Sequence, residues 1–393
     1  MDFSFSPDEE RFRQEVRDFI AKEVPPGFEA GVGGEVETDE EWQVARQITK
    51  KLAAKGWLSL AWPKEYGGQA AHMKSVILSE EMNYARAPGL DYGGVGILAP
   101  ALMFHGNEEQ KKRFLPGIAS GEVAWCQGWS EPGAGSDLPS LTTRAVEDGD
   151  DFVVNGQKVW TSHAHRADWC FLLVKTDPEA EPKHRGISFL LVDLKTPGIT
   201  ISPLVTMADE HSFCEVFYDN VRVPKENLVG EINKGWRVAM TAAGFERSGI
   251  YRIALARRNV DRLIQYAKQP QPDGRVPAND PLVRQRLAGL YIEGVIARLL
   301  AYRVAWLQAQ GLQPEWEASM SRVFGCEFQQ HVANAGMEIM GLYGLLREDS
   351  KWANATCKMA HQSLLSPGAT IAAGTSEIQR NTIAIRGLDL PRG

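Results

Sequence analysis

The chain has 393 residues, of which 44% are hydrophobic and 24% are charged. This balance is typical of a globular protein and excludes a disordered one, because disordered chains contain too few apolar residues to build a core. The formal net charge is -7, which argues against a surface that binds polyanions over the whole protein. The length predicts two or three structural units and an interior large enough for a buried cofactor.

The cysteines and the N-terminus predict the cellular compartment. Five cysteines occur, at Cys126, Cys170, Cys214, Cys326 and Cys357. Their number is odd and no pair has metal-ligand spacing, which favours free thiols in a reducing compartment and no metal site. No signal peptide is recognisable, and no apolar run approaches the roughly 20 residues of a membrane span. We therefore expect a cytoplasmic protein.

Residues 1–120 are predicted to form a helical domain. Residues 6–9 (SPDE) have the pattern of a helix start, with Ser as the N-cap, Pro at the first position and Glu at the third. Amphipathic spacing predicts further helices over 40–55, 73–86 and 108–114. The last of these is expected to stop at Pro116-Gly117.

Residues 121–235 change to a period of two and are predicted to form a β domain. Residues 152–160 (FVVNGQKVW) predict a hairpin that turns at Asn155-Gly156, because Asn-Gly is the strongest short-range hairpin signal. Further β-rich runs occupy 171–174, 187–192, 199–201 and 214–218.

Residues 236–393 return to helical periodicity. Helices are predicted over 238–268, 281–311 and 316–340, with a shorter one before 366–368 and a last one from about Thr375. Long antiparallel helices with short connections indicate a bundle. The fold class is therefore α+β multidomain, in the order helices, β domain, helices.

A glycine-rich loop at residues 129–137 (WSEPGAGSD) is the first candidate for chemistry. Gly133 and Gly135 let a ligand approach the backbone closely, and Ser130 and Ser136 supply hydroxyl groups. Alone, this loop would be an ordinary solvated connection. Residues 160–162 (WTS), however, add an aromatic ring and two hydroxyls, and a flavin needs both apolar walls and hydrogen-bond donors near N5.

Four segments together resemble the acyl-CoA dehydrogenase family. Residues 115–137 are similar to the family signature that ends in Glu-Pro-Gly-Ala-Gly-Ser-Asp, and 159–162 are similar to its second flavin segment. Residues 217–227 resemble its D-V-x-V-P-x-x-N strand and turn, and 374–381 (GTSEIQRN) its C-terminal signature. The segments occur in the family's order along the chain.

The resemblance implies an N-terminal α-helical domain, a middle β-barrel-like domain and a C-terminal four-helix bundle, with FAD between them. The flavin ring and the thioester end of the substrate would be held by Gln127, Trp129, Ser130, Gly135 and Ser136. Trp160 and Ser162 would flank the flavin, with Ser162 donating to N5. Thr375 and Glu377 would contact the adenosine-diphosphate half, and residues from Glu338 to Gly341 would reach the FAD of a neighbouring subunit.

The catalytic base departs from the commoner family pattern. Relatives often have Glu directly before the C-terminal Gly-Thr, where this chain has Ala373, whose methyl group cannot take a proton. A minority of the family carry the base on the first long helix of the C-terminal domain, and that position matches Glu246 here. We expect Glu246 to be the base, Arg247 to contact CoA, and the Ala373 N–H to polarise the thioester. The ordinary alternative for Glu246 is a surface charge beside Arg247.

Two further departures concern contacts between subunits. Many relatives have an Arg near residues 269–272 that meets the partner's FAD pyrophosphate; this chain has QPQP there, and Arg275 is offset. Residues 341–344 (GLYG) replace the usual Gly-Gly-Asn-Gly. Weaker FAD retention, or fewer FAD molecules per assembly, is therefore an open alternative.

The resemblance implies a flavoprotein oxidoreductase of lipid metabolism, such as fatty acid β-oxidation, that converts an acyl-CoA to the trans-2-enoyl-CoA. An electron-transfer flavoprotein would reoxidise it. The departures resemble a bacterial subgroup that acts on bulky or branched acyl groups, and the assembly would be a homo-oligomer (dimer or tetramer) or a heterotetramer. Two alternatives stay open: a non-catalytic or FAD-poor partner subunit, and a family-like flavin monooxygenase.

Other polar clusters have ordinary interpretations. His163 and His165 lack the further ligands that a metal needs and are expected to be a loop pair. Four arginines form a basic stripe on the predicted helix 238–268, at Arg252, Arg257, Arg258 and Arg262. Such a stripe is usually a solvated face or a subunit contact, although part of it could steer CoA.

Overall fold

A computed structural model describes residues 4–31, 36–245, 249–347, 350–352 and 358–391. The chain divides into two compact units. The helical unit comprises Met1–Gly34, Ala71–Pro88 and Arg247–Gly393. The sheet unit comprises Glu35–Ala70 and Gly89–Glu246.

The helical unit contains α-helices from both ends of the chain. Within its described residues these are α1 (Pro7–Glu23), α3 (His72–Tyr84), α7 (Ile250–Lys268), α8 (Pro281–Ala309), α9 (Trp316–Met340), α10 (Met359–Ala369) and α11 (Ser376–Thr382). Helix α9 packs against α7, α8, α10 and α11, and α3 packs against α1, α7 and α8. A core helix of 25 residues thus carries most of the packing in this unit.

The sheet unit contains four α-helices and seven strands within its described residues. The helices are α2 (Asp39–Ala54), α4 (Ala99–His105), α5 (Glu108–Ala119) and α6 (Gly235–Phe245). The strands are β1 (Trp125–Gly128), β2 (Arg144–Asp148), β3 (Asp151–Ser162), β4 (Trp169–Lys175), β5 (Ile187–Asp193), β6 (Ile199–Leu204) and β7 (Phe213–Pro224). A π-helical turn, Tyr92–Leu98, precedes α4.

The helix start predicted at Ser6 is confirmed, and two further helices begin in the same way. Three N-caps form complete capping boxes, Ser6 with Glu9, Thr38 with Glu41 and Asn107 with Gln110. In each, the cap side chain accepts a hydrogen bond from the third helical N–H, and the third side chain accepts one from the cap N–H, so that two unpaired donors are satisfied.

The sheet has the strand order β1-β4-β2-β3-β7-β6, and β5 pairs with β4 outside this path. Strand β4 is buried on both faces. Cys170, Leu172 and Val174 face one hydrophobic cluster, while Phe171 and Leu173 face the other. Hydrophobic side chains therefore cover both faces of β4. This strand pairs in parallel with β1.

The hairpin predicted at Asn155-Gly156 is wrong. Strand β3 continues through both residues, because Asn155 pairs with Arg144 of β2 and Gly156 pairs with Tyr218 of β7. Gly156 has φ of 151°, and a Cβ there would lie 2.5 Å from the Thr143 hydroxyl oxygen. Glycine is needed here for close approach between strands rather than for a turn. The turn itself lies between β2 and β3, where Gly149 has φ of 60°.

Three predicted helix boundaries also differ. The range 238–268, predicted as one helix, contains two helices, α6 and α7. Gly249, directly before α7, has a left-handed conformation with φ of 65°. Helix α5 does not stop at Pro116-Gly117 but continues to Ala119, and α10 likewise contains Pro367. Both prolines lie in the last turn of their helices, so each removes a single helical N–H donor and does not interrupt the turns before it.

Most of the basic stripe is not solvated. Arg257 donates to Glu80, at 2.8 Å, while Arg258 and Arg262 both contact Glu29. These three arginines form ion pairs within the helical unit. The expectation that the stripe is a solvated face is therefore wrong for them.

The fold class of N-terminal helices, a middle sheet and C-terminal helices is confirmed. The boundaries at 120 and 235 stay predictions. None of the helices in the described ranges combines the length and apolarity needed to cross a bilayer.

Candidate functional site

The glycine-rich loop begins where β1 ends. Gln127 is half-buried on β1, and Trp129 follows with its indole 8% exposed and packed edge-on against Phe171. The loop then reverses direction, since Glu131 and Ala134 exchange both backbone hydrogen bonds at 3.0 Å. Trp129 is thus anchored in the core.

From the tip of that reversal onward the loop is open. Gly133, Gly135 and Ser136 are exposed. A Cβ added at either glycine would meet no atom within 4 Å. The loop therefore offers backbone and hydroxyl groups to whatever lies above it.

A buried ion pair holds this loop. The Lys158 ammonium, with a side chain 0% exposed, donates to the Glu131 carboxylate at 2.8 Å and to the Trp129 carbonyl at 3.0 Å. Burial alone would raise the pKa of Glu131, but attraction to Lys158 and hydrogen bonds lower it to about 2. Glu131 is therefore ionised at neutral pH.

Glu131 also holds the start of β2. Its two carboxylate oxygens accept from the backbone N–H groups of Thr142 and Thr143 and from the Thr142 hydroxyl, at 2.7–2.9 Å. With Lys158, that makes four hydrogen bonds to one carboxylate. Each lone pair of a nearly fully buried group is thus used, as burial of a charge requires.

A β-bulge presents Trp160. Lys158 pairs with Val216 and Thr161 pairs with Cys214, so β3 has one residue more than β7 over this interval. Trp160 takes φ of 59°, and its ring is 59% exposed and contacts Phe213 edge-on. A bulge redirects a side chain in this way beside functional sites. Ser162, half-buried, ends the strand two residues later.

The loop and the bulge are adjacent although about 30 residues separate them in sequence. The Val159 N–H donates to the Ser130 carbonyl at 3.0 Å, and the Lys158 contacts reinforce that link. The structure therefore places side by side the two segments that carry the predicted residues of the sheet unit: one has Gln127, Trp129, Ser130, Gly135 and Ser136, and the other has Trp160 and Ser162.

Two of the predicted residues of the helical unit lie at the start of α11. The Thr375 hydroxyl caps this helix by accepting from the Ile378 N–H at 3.2 Å. Glu377 is exposed in the first turn. Ala373 precedes them with φ of 49°, and Arg322 of α9 donates to the neighbouring Ala372 carbonyl.

Glu338 lies elsewhere, near the C-terminal end of α9, and Gly341 directly follows that helix. Both are exposed, and Glu338 is 16 residues beyond Arg322 on the same helix. At 1.5 Å per residue the separation along the helix is about 24 Å. Within one chain, the 338–341 segment and Thr375 therefore do not form one binding site.

Glu246 and Arg247 lie outside the described residues. Their roles as base and CoA contact therefore stay predictions from the sequence.

Glu131 and Lys158 were missed as site residues. A signal was present, because Phe152, Val154, Gly156 and Lys158 share one face of β3 at a period of two. A lysine at a core-facing position indicates a buried anionic partner. The sequence did not identify which acid that partner would be.

Comparison with known proteins decides the family. Models of the acyl-CoA dehydrogenase N-terminal, middle and C-terminal domains match residues 6–122, 126–221 and 233–388. The chain belongs to the acyl-CoA dehydrogenase family.

Individual relatives agree along the whole length. The chain is 36% identical over 393 residues to acyl-CoA dehydrogenase IpdE1 of Mycobacterium tuberculosis, covering 98% of both chains. The solved structure of the Tcur3481-Tcur3483 steroid ACAD matches with a TM-score of 0.89 at 34% identity, covering 100% of both chains. The crystal structure of the ChsE4-ChsE5 complex from Mycobacterium tuberculosis matches with a TM-score of 0.87 at 34% identity, again covering 100% of both chains.

As an acyl-CoA dehydrogenase, the chain is an oxidoreductase that acts on CH–CH groups, and its cofactor is FAD. The sheet unit has features that fit a flavin. Trp160 offers an exposed aromatic face, and the space above Gly133 and Gly135 is open. The buried Trp129 Nε1 has no hydrogen-bond partner among the described residues, so one donor is left for a ligand.

Proposed function

We propose that this acyl-CoA dehydrogenase oxidises a bulky or branched acyl-CoA between its α and β carbons to the trans-2-enoyl-CoA. The observation that carries the proposal is the open glycine-rich loop fixed beside the outward-facing Trp160. FAD, when bound, accepts the hydride that leaves the β carbon.

In this proposal the sheet unit holds the flavin ring. Trp160 covers one face, Ser162 donates to N5, and the Trp129 indole N–H supplies a further donor. Gln127, Ser130 and Gly135 line the ring. The Ser136 hydroxyl is exposed and contacts the thioester end of the substrate, which would explain why the loop leaves it free of other packing.

The helical unit holds the other end of FAD. Thr375 and Glu377 contact the adenosine-diphosphate half. Since Glu338 lies about 24 Å along α9 from the Arg322–Ala372 contact and Gly341 directly follows that helix, they would serve the FAD of a neighbouring subunit. This division requires an oligomer.

Glu246 is the proposed base. A thioester α proton is weakly acidic, so a carboxylate must take it as the hydride leaves, and hydrogen bonds must stabilise the developing enolate. Ala373 has no acid, but its backbone N–H can polarise the thioester carbonyl. Arg247 would contact CoA.

The acyl group and the assembly are argued from likeness. A solved structure at 34% identity is a steroid ACAD of two named chains, and another is a complex of two chains. Helix α8 exposes a run of large apolar side chains at Tyr291, Ile292, Val295, Ile296, Leu299 and Trp306. Such a face favours a subunit contact, within a homodimer, a homotetramer or a heterotetramer. An electron-transfer flavoprotein would accept the electrons, and a cytoplasmic location stays a prediction.

The test is the visible spectrum of the purified chain. We expect a flavin band that bleaches anaerobically with a branched or steroid-like acyl-CoA. Glu246→Gln should retain FAD but bleach about 10²–10⁴ times more slowly, the usual contribution of a positioned base. Glu231→Gln, an exposed acid just before α6, serves as the matched control and should bleach like the wild type. Unchanged bleaching in Glu246→Gln would refute the assignment.

A second candidate is a partner subunit without its own chemistry. The alanine at position 373 favours it, because the commoner acid is missing there. A colourless chain that gains flavin colour only when expressed with a second, homologous chain would support this candidate over the first.

A further inference from the structure

The two flavin segments are joined by one buried ion pair. Lys158 lies on β3 two residues before Trp160, and Glu131 lies in the loop two residues after Trp129. The Lys158 ammonium bonds both the Glu131 carboxylate and the Trp129 carbonyl. The pair thus sits between the buried indole and the bulge that turns Trp160 outward.

We propose that Glu131 and Lys158 are positioning residues for FAD, setting the spacing between the 129–137 loop and the Trp160 bulge. The proposal rests on the proposed function, since it takes these two segments as the flavin site. Neither side chain touches the flavin in this proposal; both act through Trp129 and the loop backbone.

The charge of Glu131 is needed, and its shape alone is not enough. Its two oxygens accept four hydrogen bonds, from Lys158, from the N–H groups of Thr142 and Thr143, and from the Thr142 hydroxyl. A glutamine could accept on one oxygen only, and its amide N–H would face a donor. Glu131→Gln therefore loses either the two bonds from Thr142 or the bonds from Thr143 and Lys158, depending on which way the amide is turned.

Lys158 is equally constrained. Its side chain is 0% exposed, so the longer, planar guanidinium of arginine would not fit without moving the strand. A methionine fills similar apolar space but leaves the Trp129 carbonyl without its donor. The double variant Glu131→Gln/Lys158→Met removes both charges and therefore avoids an unpaired buried ion.

That double variant separates positioning from folding. Either single variant leaves an uncompensated buried group, whereas the double variant should recover much of the melting temperature. The matched control is Val154→Ala, a fully buried residue on the same strand that touches neither partner's hydrogen bonds. It lowers stability without altering the loop.

Three measurements are compared on the full chain: the FAD dissociation constant, the visible circular dichroism of bound flavin, and hydrogen exchange of residues 127–137 without FAD. We expect the double variant to bind FAD on the order of tenfold more weakly, with an altered flavin spectrum and faster exchange. Val154→Ala should keep the FAD dissociation constant, the flavin spectrum and the exchange rate at wild-type values, even if its melting temperature is as low as that of the double variant.

Wild-type affinity and flavin spectrum in the double variant would overturn the proposal. An equal loss in Val154→Ala would also overturn it, because instability alone would then explain the effect. Hydrogen exchange needs no flavin, so it tests the loop even if the wild type took up no FAD. In that event only the proposed function fails, and unchanged exchange in the double variant would still refute the positioning role.

Discussion

One carboxylate joins four helices of the helical unit, and its removal should destabilise this unit strongly. Glu80 on α3 is 3% exposed and accepts from Arg13 at 2.8 Å, Arg257 at 2.8 Å, and Tyr302 at 2.6 Å. Arg298 contacts it through two guanidinium nitrogens. Glu80→Gln keeps the volume of the side chain but removes the charge that these groups surround.

The loss of stability in Glu80→Gln can be estimated in two ways, from the pKa of Glu80 and from the usual cost of breaking a buried ion pair. Burial alone would raise the pKa of Glu80, but Arg298, Tyr302 and Arg13 lower it from 4.5 to about 2. That difference corresponds to about 3 kcal/mol at neutral pH, since one pKa unit is worth about 1.4 kcal/mol. Removing one partner of a buried ion pair costs about 3–5 kcal/mol. In a unit of this size a loss of about 3–5 kcal/mol should lower the apparent melting temperature by about 6–20 °C.

The pH dependence gives an independent check. Because the folded-state pKa is depressed, the stabilisation is complete above about pH 4.5 and is lost as the pH falls towards 2. The gap in melting temperature between wild type and Glu80→Gln should therefore be constant from pH 5 to 8 and narrow below pH 4.5.

The assay is thermal unfolding followed by far-ultraviolet circular dichroism at several pH values. Glu327→Gln is the matched control, because Glu327 pairs with Arg380 on the surface of the same unit. It should change stability by less than about 1 kcal/mol. The reasoning is refuted if Glu80→Gln melts within about 1 °C of this control at pH 7.

Two further predictions concern the sheet unit. Gly156→Val should destabilise it by about 1–3 kcal/mol, measured by urea unfolding, because the new side chain collides with Thr143; wild-type stability would contradict the close approach of Gly156 to Thr143. For His163, burial first, and then the nearby positive charges, lower the pKa to about 4. Stability should thus decline as the pH falls from 6.5 towards 4. His163→Asn, which tolerates the φ of 55° there, should flatten the decline between pH 7 and 5; an unchanged slope would exclude His163 as its cause.

The sequence identified the family and most elements because the signals involved are local. The capping box predicted at Ser6 spans four residues, so no distant contact was needed to recognise it. The glycine-rich loop at 129–137 and Trp160 were likewise recognisable as motifs. The helix predicted over 316–340 from the helical spacing of its apolar residues has the bounds of α9, Trp316–Met340.

What the sequence could not determine depends on pairs far apart along the chain. Asn155-Gly156 has the local form of a turn, yet pairing with β2 and β7 on either side keeps it extended. Arg257 and Arg258 have the pattern of a solvated stripe, yet Glu80 on α3 and Glu29 in the loop after α1 pair with them.

Composition, helix starts and the flavin motifs were thus determined by the sequence itself, through interactions within a few residues. The tertiary structure decided which charges are buried together, and the ion pair of Glu131 and Lys158 is the example on which the site depends. The physical reason is that a buried charge is stable only beside its partner. Folding brings that partner from about 27 positions away, a distance over which neither helical nor strand periodicity carries information.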